Sequence, residues 1–213
     1  MIKRVTFETQ DGVTIAGDLY KGDSRFALLL HAMPETKESW RVFAEVLSKK
    51  GFTVLAIDER GHGESTMGGR LDYRRFTPEE QQAKQWDVEA AFDYLQTLGA
   101  REETTVVVGA SIGANLALRF LADHPKSPVA IALSPGLDYR GVKTLEAVKH
   151  LALDQQIIIV ASTDDEESYK DSQTLVSARS AQVTGIFYEN SGHGTAMFKN
   201  QPGLIDQLLS YLP

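Results

Sequence analysis

The chain contains no cysteine. That absence removes disulfides, thiolate nucleophiles and zinc–thiolate centres together, and with them the main clue to redox compartment. Long apolar runs are missing too: no stretch approaches the roughly 20 residues that cross a bilayer as a helix. The opening Met1-Ile2-Lys3-Arg4-Val5 has no apolar segment behind its charges, so no secretory signal is expected. Basic charge is in the minority. The 22 Lys and Arg against 29 Asp and Glu leave −7 at pH 7, and no basic cluster offsets it, which argues against nucleic acid as a partner. Repeats, linkers and low-complexity segments are also absent. What remains is 213 residues, expected to form one globular domain over 1–213, with a cytoplasmic location as the default.

The patterning alternates strands with helices. Ile2 to Thr9 and Val13 to Tyr20 alternate apolar and polar residues around Asp11-Gly12, the signature of a hairpin. Phe26 to Leu30, Phe52 to Ile57, Pro128 to Leu133, Ile157 to Ala161 and Gly185 to Tyr188 read as further strands, the continuously apolar ones suited to burial on both faces. Trp40, Phe43, Ala44 and Leu47 mark a helix stopped at Gly51, and Thr77-Pro78-Glu79-Glu80 a helix start. Trp86, Ala90, Tyr94 and Leu98, with Phe92 less well placed, carry that helix to Gly99. Shorter helices are expected over Thr144 to Leu151, Tyr169 to Ala181 and Leu204 to Leu212. Strands alternating with helices predict an α/β fold: a mostly parallel sheet covered on both faces, with an antiparallel hairpin at one edge.

One stretch organises the rest. Thr105-Val106-Val107-Val108 runs into Gly109-Ala110-Ser111-Ile112-Gly113, and an apolar helical pattern follows. The spacing G-x-S-x-G arises by chance in about one chain in fifteen of this length. Its setting between strand and helix is what gives it meaning: Ser111 sits on a tight turn that holds its hydroxyl out of the sheet, beside free helix N–H groups. A serine hydroxyl needs a base to take its proton and a third group to orient that base. In a parallel sheet such groups belong past the C-terminal ends of strands. His193, in Asn190-Ser191-Gly192-His193-Gly194, follows the last strand and is the base. The acid comes from Thr163-Asp164-Asp165-Glu166-Glu167: Asp165 is preferred, Asp164 is its near competitor and Asp138 a third choice. The oxyanion donors are the amides of Ile112, directly after the nucleophile, and Met33, in the turn after the Phe26 strand. His124 reads as a cation at a helix end and His150 as a solvated helix residue.

These motifs in this order resemble the α/β-hydrolases nearly end to end. The matching residues are His31-Ala32-Met33-Pro34 for the oxyanion turn, Asp58-Glu59-Arg60-Gly61-His62-Gly63-Glu64-Ser65 after the next strand, the Ser111 elbow, Asp165, and Gly192-His193-Gly194. The resemblance implies an eight-stranded sheet, no cofactor and no metal, with Asp58, Arg60, His62 and His31 bracing loops rather than reacting. Two departures stand out: Ala32 where the family usually has glycine, and Ser162-Thr163 in place of a glycine-containing turn before the acid. Only about twenty residues separate Leu133 from Ile157, roughly one ordinary crossover, so no sizeable lid is expected. The chain is then similar to the small capless esterases of the dienelactone hydrolase-like group, with serine where dienelactone hydrolases proper carry cysteine.

The implied activity is a serine carboxylesterase acting on small, short-chain esters, with a small molecule as partner, no membrane, and self-association left open. Thioesterase, acylpeptidase and carbon–carbon hydrolase share the triad. Epoxide hydrolase and dehalogenase chemistry is disfavoured, because the elbow carries a hydroxyl and not a carboxylate. A non-catalytic binding protein is a rival of another class, weakened by the presence of all three triad members.

Overall fold

A computed structural model describes residues 2–213. The chain opens with β1 (Ile2–Glu8) and β2 (Thr14–Tyr20), joined by a turn in which Gly12 has φ +78°. It continues through β3 (Arg25–Leu30), α1 (Arg41–Lys49), β4 (Phe52–Ile57), α2 (Pro78–Gln82) and α3 (Lys84–Thr97). Then come β5 (Thr105–Ala110), α4 (Ile112–Asp123) and β6 (Val129–Leu133). A short hairpin, β7 (Asp138–Tyr139) and β8 (Val142–Lys143), precedes α5 (Leu145–Lys149). The chain ends through β9 (Gln156–Ser162), α6 (Glu166–Ala178), β10 (Val183–Tyr188), α7 (Met197–Asn200) and α8 (Leu204–Leu209).

Eight strands form one sheet in the order β1-β2-β4-β3-β5-β6-β9-β10. The β1–β2 and β2–β4 pairs are antiparallel and every pair from β4 to β10 is parallel. This is the predicted architecture, eight strands and antiparallel edge included. From β3 the chain first steps outward to β4, then returns across β3 to β5 and proceeds the other way. The loops after β3 and β5 therefore part at a switch point, where an open α/β sheet leaves a crevice.

Alternation along the central strands sends side chains to two cores. Phe26, Leu28 and Leu30 of β3 join Val88, Ala91 and Leu95 of α3, Leu116 and Phe120 of α4, and Leu175 of α6. Ala27 and Leu29 join Trp40, Phe43 and Leu47 beside α1, and Met197, Leu204 and Leu208 at the C-terminus. Burial on both faces explains why these strands read as unbroken apolar runs.

The expected helix over Thr77 to Gly99 is two helices. Thr77 and Glu80 form a capping box on α2, and the axis restarts at Lys84. The stripe expected along it is buried at Ala90 and Phe92 but fails elsewhere. Trp86 and Leu98 are 39% and 44% exposed, while Lys84, Asp87, Val88, Ala91 and Leu95 are fully buried. The inward face carries two charges, which hide it from a hydrophobic pattern. Further along, α6 starts directly after Asp165 rather than at Tyr169. The connection after β6 contains the β7–β8 hairpin, not only a helix.

Candidate active site

Ser111 stands between β5 and α4 with φ +54° and ψ −121°, backbone that L residues adopt only when their surroundings force it. The flanking glycines show what forces it. A β-carbon on Gly109 would overlap the carbonyl of Gly113, and one on Gly113 would run into the carbonyl oxygens of Leu30 and His31. Strand, turn and helix are thus pressed against one another and against the end of β3. The Ser111 N–H donates to Leu133 O at 2.9 Å, and Asn115 N donates to Ser111 O at 3.1 Å, so the turn is tied to β6 as its helix begins. Ile112 is the first residue of α4, where backbone N–H groups lack intrahelical acceptors.

On the next strands, Asp165 follows β9 and His193 follows β10. Nδ1 of His193 lies 2.6 Å from Oδ2 of Asp165. A carboxylate at that nitrogen fixes the ring so that Nδ1 carries the proton and Nε2 is free to accept one. Among the described residues no backbone N–H of the His193 loop donates to Asp165; Asp164 takes those. Its Oδ1 accepts from Ser191 N at 3.0 Å and its Oδ2 from Gly192 N at 3.1 Å, and the Ser162 hydroxyl donates to it as well. The Ser162 hydroxyl bond, helped by these amides, holds the Asp164 carboxyl below the usual carboxylate range. The two neighbouring acids therefore divide the work: Asp165 meets the imidazole and Asp164 folds the loop that carries it. Ser162 also accepts from Ser191 N at 2.8 Å, which is what serine does here in place of the family's glycine. Asp138, the third candidate, bonds Gly141 N within its own hairpin at 2.7 Å.

The His193 loop packs on the elbow. A β-carbon on Gly194 would stand 3.4 Å from Cβ of Ala110 and 3.7 Å from Cβ of Ala32. Gly194 N donates to the fully buried hydroxyl of Ser134 at 3.0 Å, and Thr195 Oγ1 donates to Glu35 Oε2 at 2.9 Å. Glu35 belongs to the turn that contains Met33, so the Thr195 bond joins the candidate oxyanion turn to the His193 loop. Ala32 is buried against that loop, with no positive φ to demand glycine. His31 is structural as expected. Its Nδ1 donates to Ala32 O at 2.8 Å, which leaves Nε2 to accept from Glu59 N at 3.1 Å.

Three residues escaped the sequence reading. Ser134 has φ +51° at the end of β6, and a lone Ser-Pro dipeptide gives no hint of its bond to Gly194. Asn115, the fourth residue of α4, donates to Val142 O at 2.7 Å and accepts from Gly136 N at 3.0 Å, anchoring the hairpin over the elbow helix. Tyr139 of that hairpin has its phenol held above the ordinary value by burial and then by the charge of Asp165, so it stands near that carboxylate. The Tyr139-Arg140-Gly141 turn was the available signal.

The residues bracing the neighbouring loop are buried ions. Asp58 accepts from Lys37 N and Glu64 N, each at 2.9 Å, and pairs with Lys37 Nζ at 2.5 Å. Arg60 bonds Asp87 through N and Nε at 2.8 Å and Asp11 through Nη1 at 2.8 Å. Lys84 Nζ lies 3.1 Å from Glu59 Oε2 with both side chains sealed from solvent. His62 stacks on Tyr73 at 3.9 Å. Burial, then the charge of Lys84, pushes it down to about 2. Among the described residues no group of three or more His, Asp or Glu side chains is placed to hold a metal ion. Among them, too, no helix is long and apolar enough to cross a membrane.

Comparison with known proteins places the fold. A bifunctional esterase/perhydrolase of Acinetobacter calcoaceticus is 33% identical over 132 residues, 59% of this chain and 41% of that protein. A monoacylglycerol lipase of Xenopus laevis is 25% identical over 151 residues, 68% of this chain and 42% of that protein. The chain thus spans less than half the length of these curated relatives. Among solved structures, an esterase of Pyrococcus furiosus superposes with a TM-score of 0.79 at 18% identity, covering 100% of this chain and 92% of that one. A dienelactone hydrolase from Anabaena variabilis does so with a TM-score of 0.73 at 18% identity, covering 99% and 94%. At those identities the likeness is one of fold. The pattern of the alpha/beta hydrolase fold family matches residues 28–134, half of the chain, from the strand before Met33 to the residue that anchors the His193 loop. It therefore spans the switch point itself, and the chain belongs to the α/β-hydrolase fold family.

Proposed function

We propose that this protein is a serine carboxylesterase acting on small, short-chain esters. The observation that carries the reading is the 2.6 Å contact between His193 Nδ1 and Asp165 Oδ2, on a loop packed against the strained elbow of Ser111. Two further facts support it: the names of the curated relatives, an esterase/perhydrolase and a monoacylglycerol lipase, and the small size of the connection after β6, a hairpin and one short helix.

In this reading Ser111 Oγ attacks the ester carbonyl while His193 Nε2 takes its proton. The carbonyl oxygen becomes an oxyanion between the amides of Ile112 and Met33. Collapse breaks the bond to the alkoxy group, which leaves with the proton from His193. Water, deprotonated by the same imidazole, then attacks the acyl-serine; the acid departs and Ser111 regains its proton. Asp165 keeps the imidazole in the tautomer that both steps need. No cofactor or metal takes part.

The test is Ser111→Ala assayed with p-nitrophenyl acetate and butyrate. The variant should lose at least about 10³-fold in kcat with an unchanged unfolding curve, and a fluorophosphonate should label Ser111 in the unmodified chain alone. Activity retained in the variant overturns the assignment.

A further inference from the structure

The loop that carries His193 has glycine on both sides of it, Gly192 at φ +82° and Gly194 at φ +58°. Such backbone is free to take many shapes, so the place of the imidazole depends on what tethers the loop. The tethers form two sets. Before and at the ring, Ser191 N and Gly192 N donate to Asp164 at 3.0 and 3.1 Å, and His193 Nδ1 lies 2.6 Å from Asp165 Oδ2. These partners follow β9, the strand beside the loop's own. After the ring, Gly194 N donates to Ser134 Oγ at 3.0 Å and Thr195 Oγ1 to Glu35 Oε2 at 2.9 Å. Ser134 follows β6 and Glu35 follows β3, and these are the two strands that flank β5. The second set therefore straddles the strand that ends at Ser111.

Both members of that set are built for the task. Ser134 is fully buried and has φ +51°, a conformation that a residue with a side chain keeps only under constraint. Its N–H donates to Val160 O at 2.8 Å, and Tyr139 Oη donates to its carbonyl at 3.4 Å. The residue before it, Leu133, accepts the Ser111 N–H at 2.9 Å. Neighbouring residues at the end of β6 thus hold the Ser111 turn and the His193 loop. Gly194 is buried as well, so its N–H has no water to replace Ser134. Thr195 and Glu35 are half-buried, and their bond spans 160 residues of sequence. Between the two tethers the loop lies on the end of β5, where a β-carbon at Gly194 would be 3.4 Å from Ala110 Cβ.

We propose that Ser134 and the Thr195–Glu35 pair are positioning residues that set the distance from the His193 imidazole to the Ser111 hydroxyl, while Asp165 sets the orientation of the ring. The inference rests on the esterase reading above and adds residues that act through His193 without touching substrate. Proton transfer needs the two heavy atoms within about 2.6–3.2 Å, and a displacement of about 1 Å can cost about 10²-fold in rate. Tethers on both sides of β5 stop the loop from sliding along the rim of the sheet, which a contact to β9 alone would allow. Glu35 serves here as a hydrogen-bond acceptor; its charge is not required.

The test pairs each disabling change with one that keeps the bond. Thr195→Val keeps the shape and loses the donor, and kcat on p-nitrophenyl acetate should fall about five- to tenfold with KM unchanged. Thr195→Ser should restore the rate to within about twofold. Glu35→Ala should match Thr195→Val, Glu35→Gln should retain the rate, and the double change Thr195→Val with Glu35→Ala should lose no more than either alone, because one bond is removed in each case. Ser134→Gly accepts the same backbone without the hydroxyl and should lower kcat about tenfold, again with KM unchanged. A fluorophosphonate should still label every molecule of these variants, at a rate reduced by the same factor as kcat. Thr195→Val or Ser134→Gly with kcat per labelled molecule unchanged, or Glu35→Gln as damaging as Glu35→Ala, would overturn the positioning role while leaving the esterase intact. An unmodified chain that neither hydrolyses the ester nor takes the label overturns the esterase reading, and the positioning role with it.

Discussion

Two glycine-rich loops past the C-terminal ends of parallel strands, one after the edge strand β10 and one after β4, each carry a histidine, and they are held by different physics. The loop after β10 is tied down by hydrogen bonds from its own backbone to Asp164, Ser162 and Ser134, and its imidazole is 39% exposed. The loop after β4 is locked by buried ions: Asp58 with Lys37, Glu59 with Lys84, Arg60 with Asp87. Its His62 is sealed in and pushed down to about 2 by burial and then by Lys84. A proton carrier must meet both substrate and solvent, so it can only sit on the first kind of loop. Buried ion pairs give the second kind a fixed shape at the cost of removing its histidine from proton chemistry.

The sharpest test of that division concerns the first loop, which two adjacent aspartates after β9 contact in unlike ways. Asp165→Asn keeps size and shape but offers the imidazole the wrong partner, and kcat should fall about 10³- to 10⁴-fold. Asp164→Asn disturbs only the loop's backbone bonds, and the fall should be about three- to tenfold through misplacement of His193. Steady-state kinetics on p-nitrophenyl acetate compares them directly. Losses of equal size would mean that orientation of the loop, not the state of the imidazole, limits the reaction.

On the second loop the largest effect should be on stability. Lys84→Met leaves the Glu59 carboxylate buried without its counter-charge and should cost about 3–5 kcal/mol in denaturant unfolding. Replacing both members, as Glu59→Leu with Lys84→Met, should recover most of that loss, because an apolar pair of similar volume needs no counter-charge. A single-variant loss under about 1 kcal/mol, the range of an exposed pair, would show that charge pairing does not hold this loop.

Those buried charges also explain which parts of the molecule could be read from the sequence. The elbow was legible because its cause is local: β-branched residues stop at glycines that cannot carry side chains, and a helix follows within a few positions. His193 stood out as the candidate base because a glycine-flanked histidine after the last strand has few structural duties. Asp165 was preferred to Asp164, but adjacent residues at a strand end point different ways. Only the fold shows that one meets His193 while the other meets Ser191 and Gly192. The inward face of α3 was misread because Lys84 and Asp87 count as polar in any periodicity, although both are fully buried; their partners, Glu59 and Arg60, are distant in sequence. The β7–β8 hairpin was missed because its strands are two residues each, too short to alternate visibly. The Met33 turn was placed by its position after β3 and could not have been placed by composition.

A third histidine tests whether exposure alone sorts the two kinds. His124 closes α4 with Nε2 3.0 Å from Glu89 Oε2 and Nδ1 3.4 Å from Glu102 Oε1, its ring stacked on Phe120 at 4.1 Å. Burial would lower its pKa, as it does for His62, but the bonds and charges of the two glutamates outweigh it and the net shift is upward. The sign of the linkage is therefore opposite at the two sites. A raised folded-state value means that His124 stabilises fully below the unfolded value of about 6.5 and loses that contribution as pH rises through the folded value. A depressed value means that His62 costs stability as pH falls below about 6.5, where the unfolded chain takes up a proton that the folded chain refuses. Changes in the intact protein mix the two, so the variant His124→Gln is needed. Its stability deficit should be about 0.5 kcal/mol larger at pH 6 than at pH 9, after allowance for solvent screening at the partly exposed glutamates, with the stacking loss common to both. A deficit that does not change between those pH values would reduce His124 to packing, and the two carboxylates beside it to bystanders.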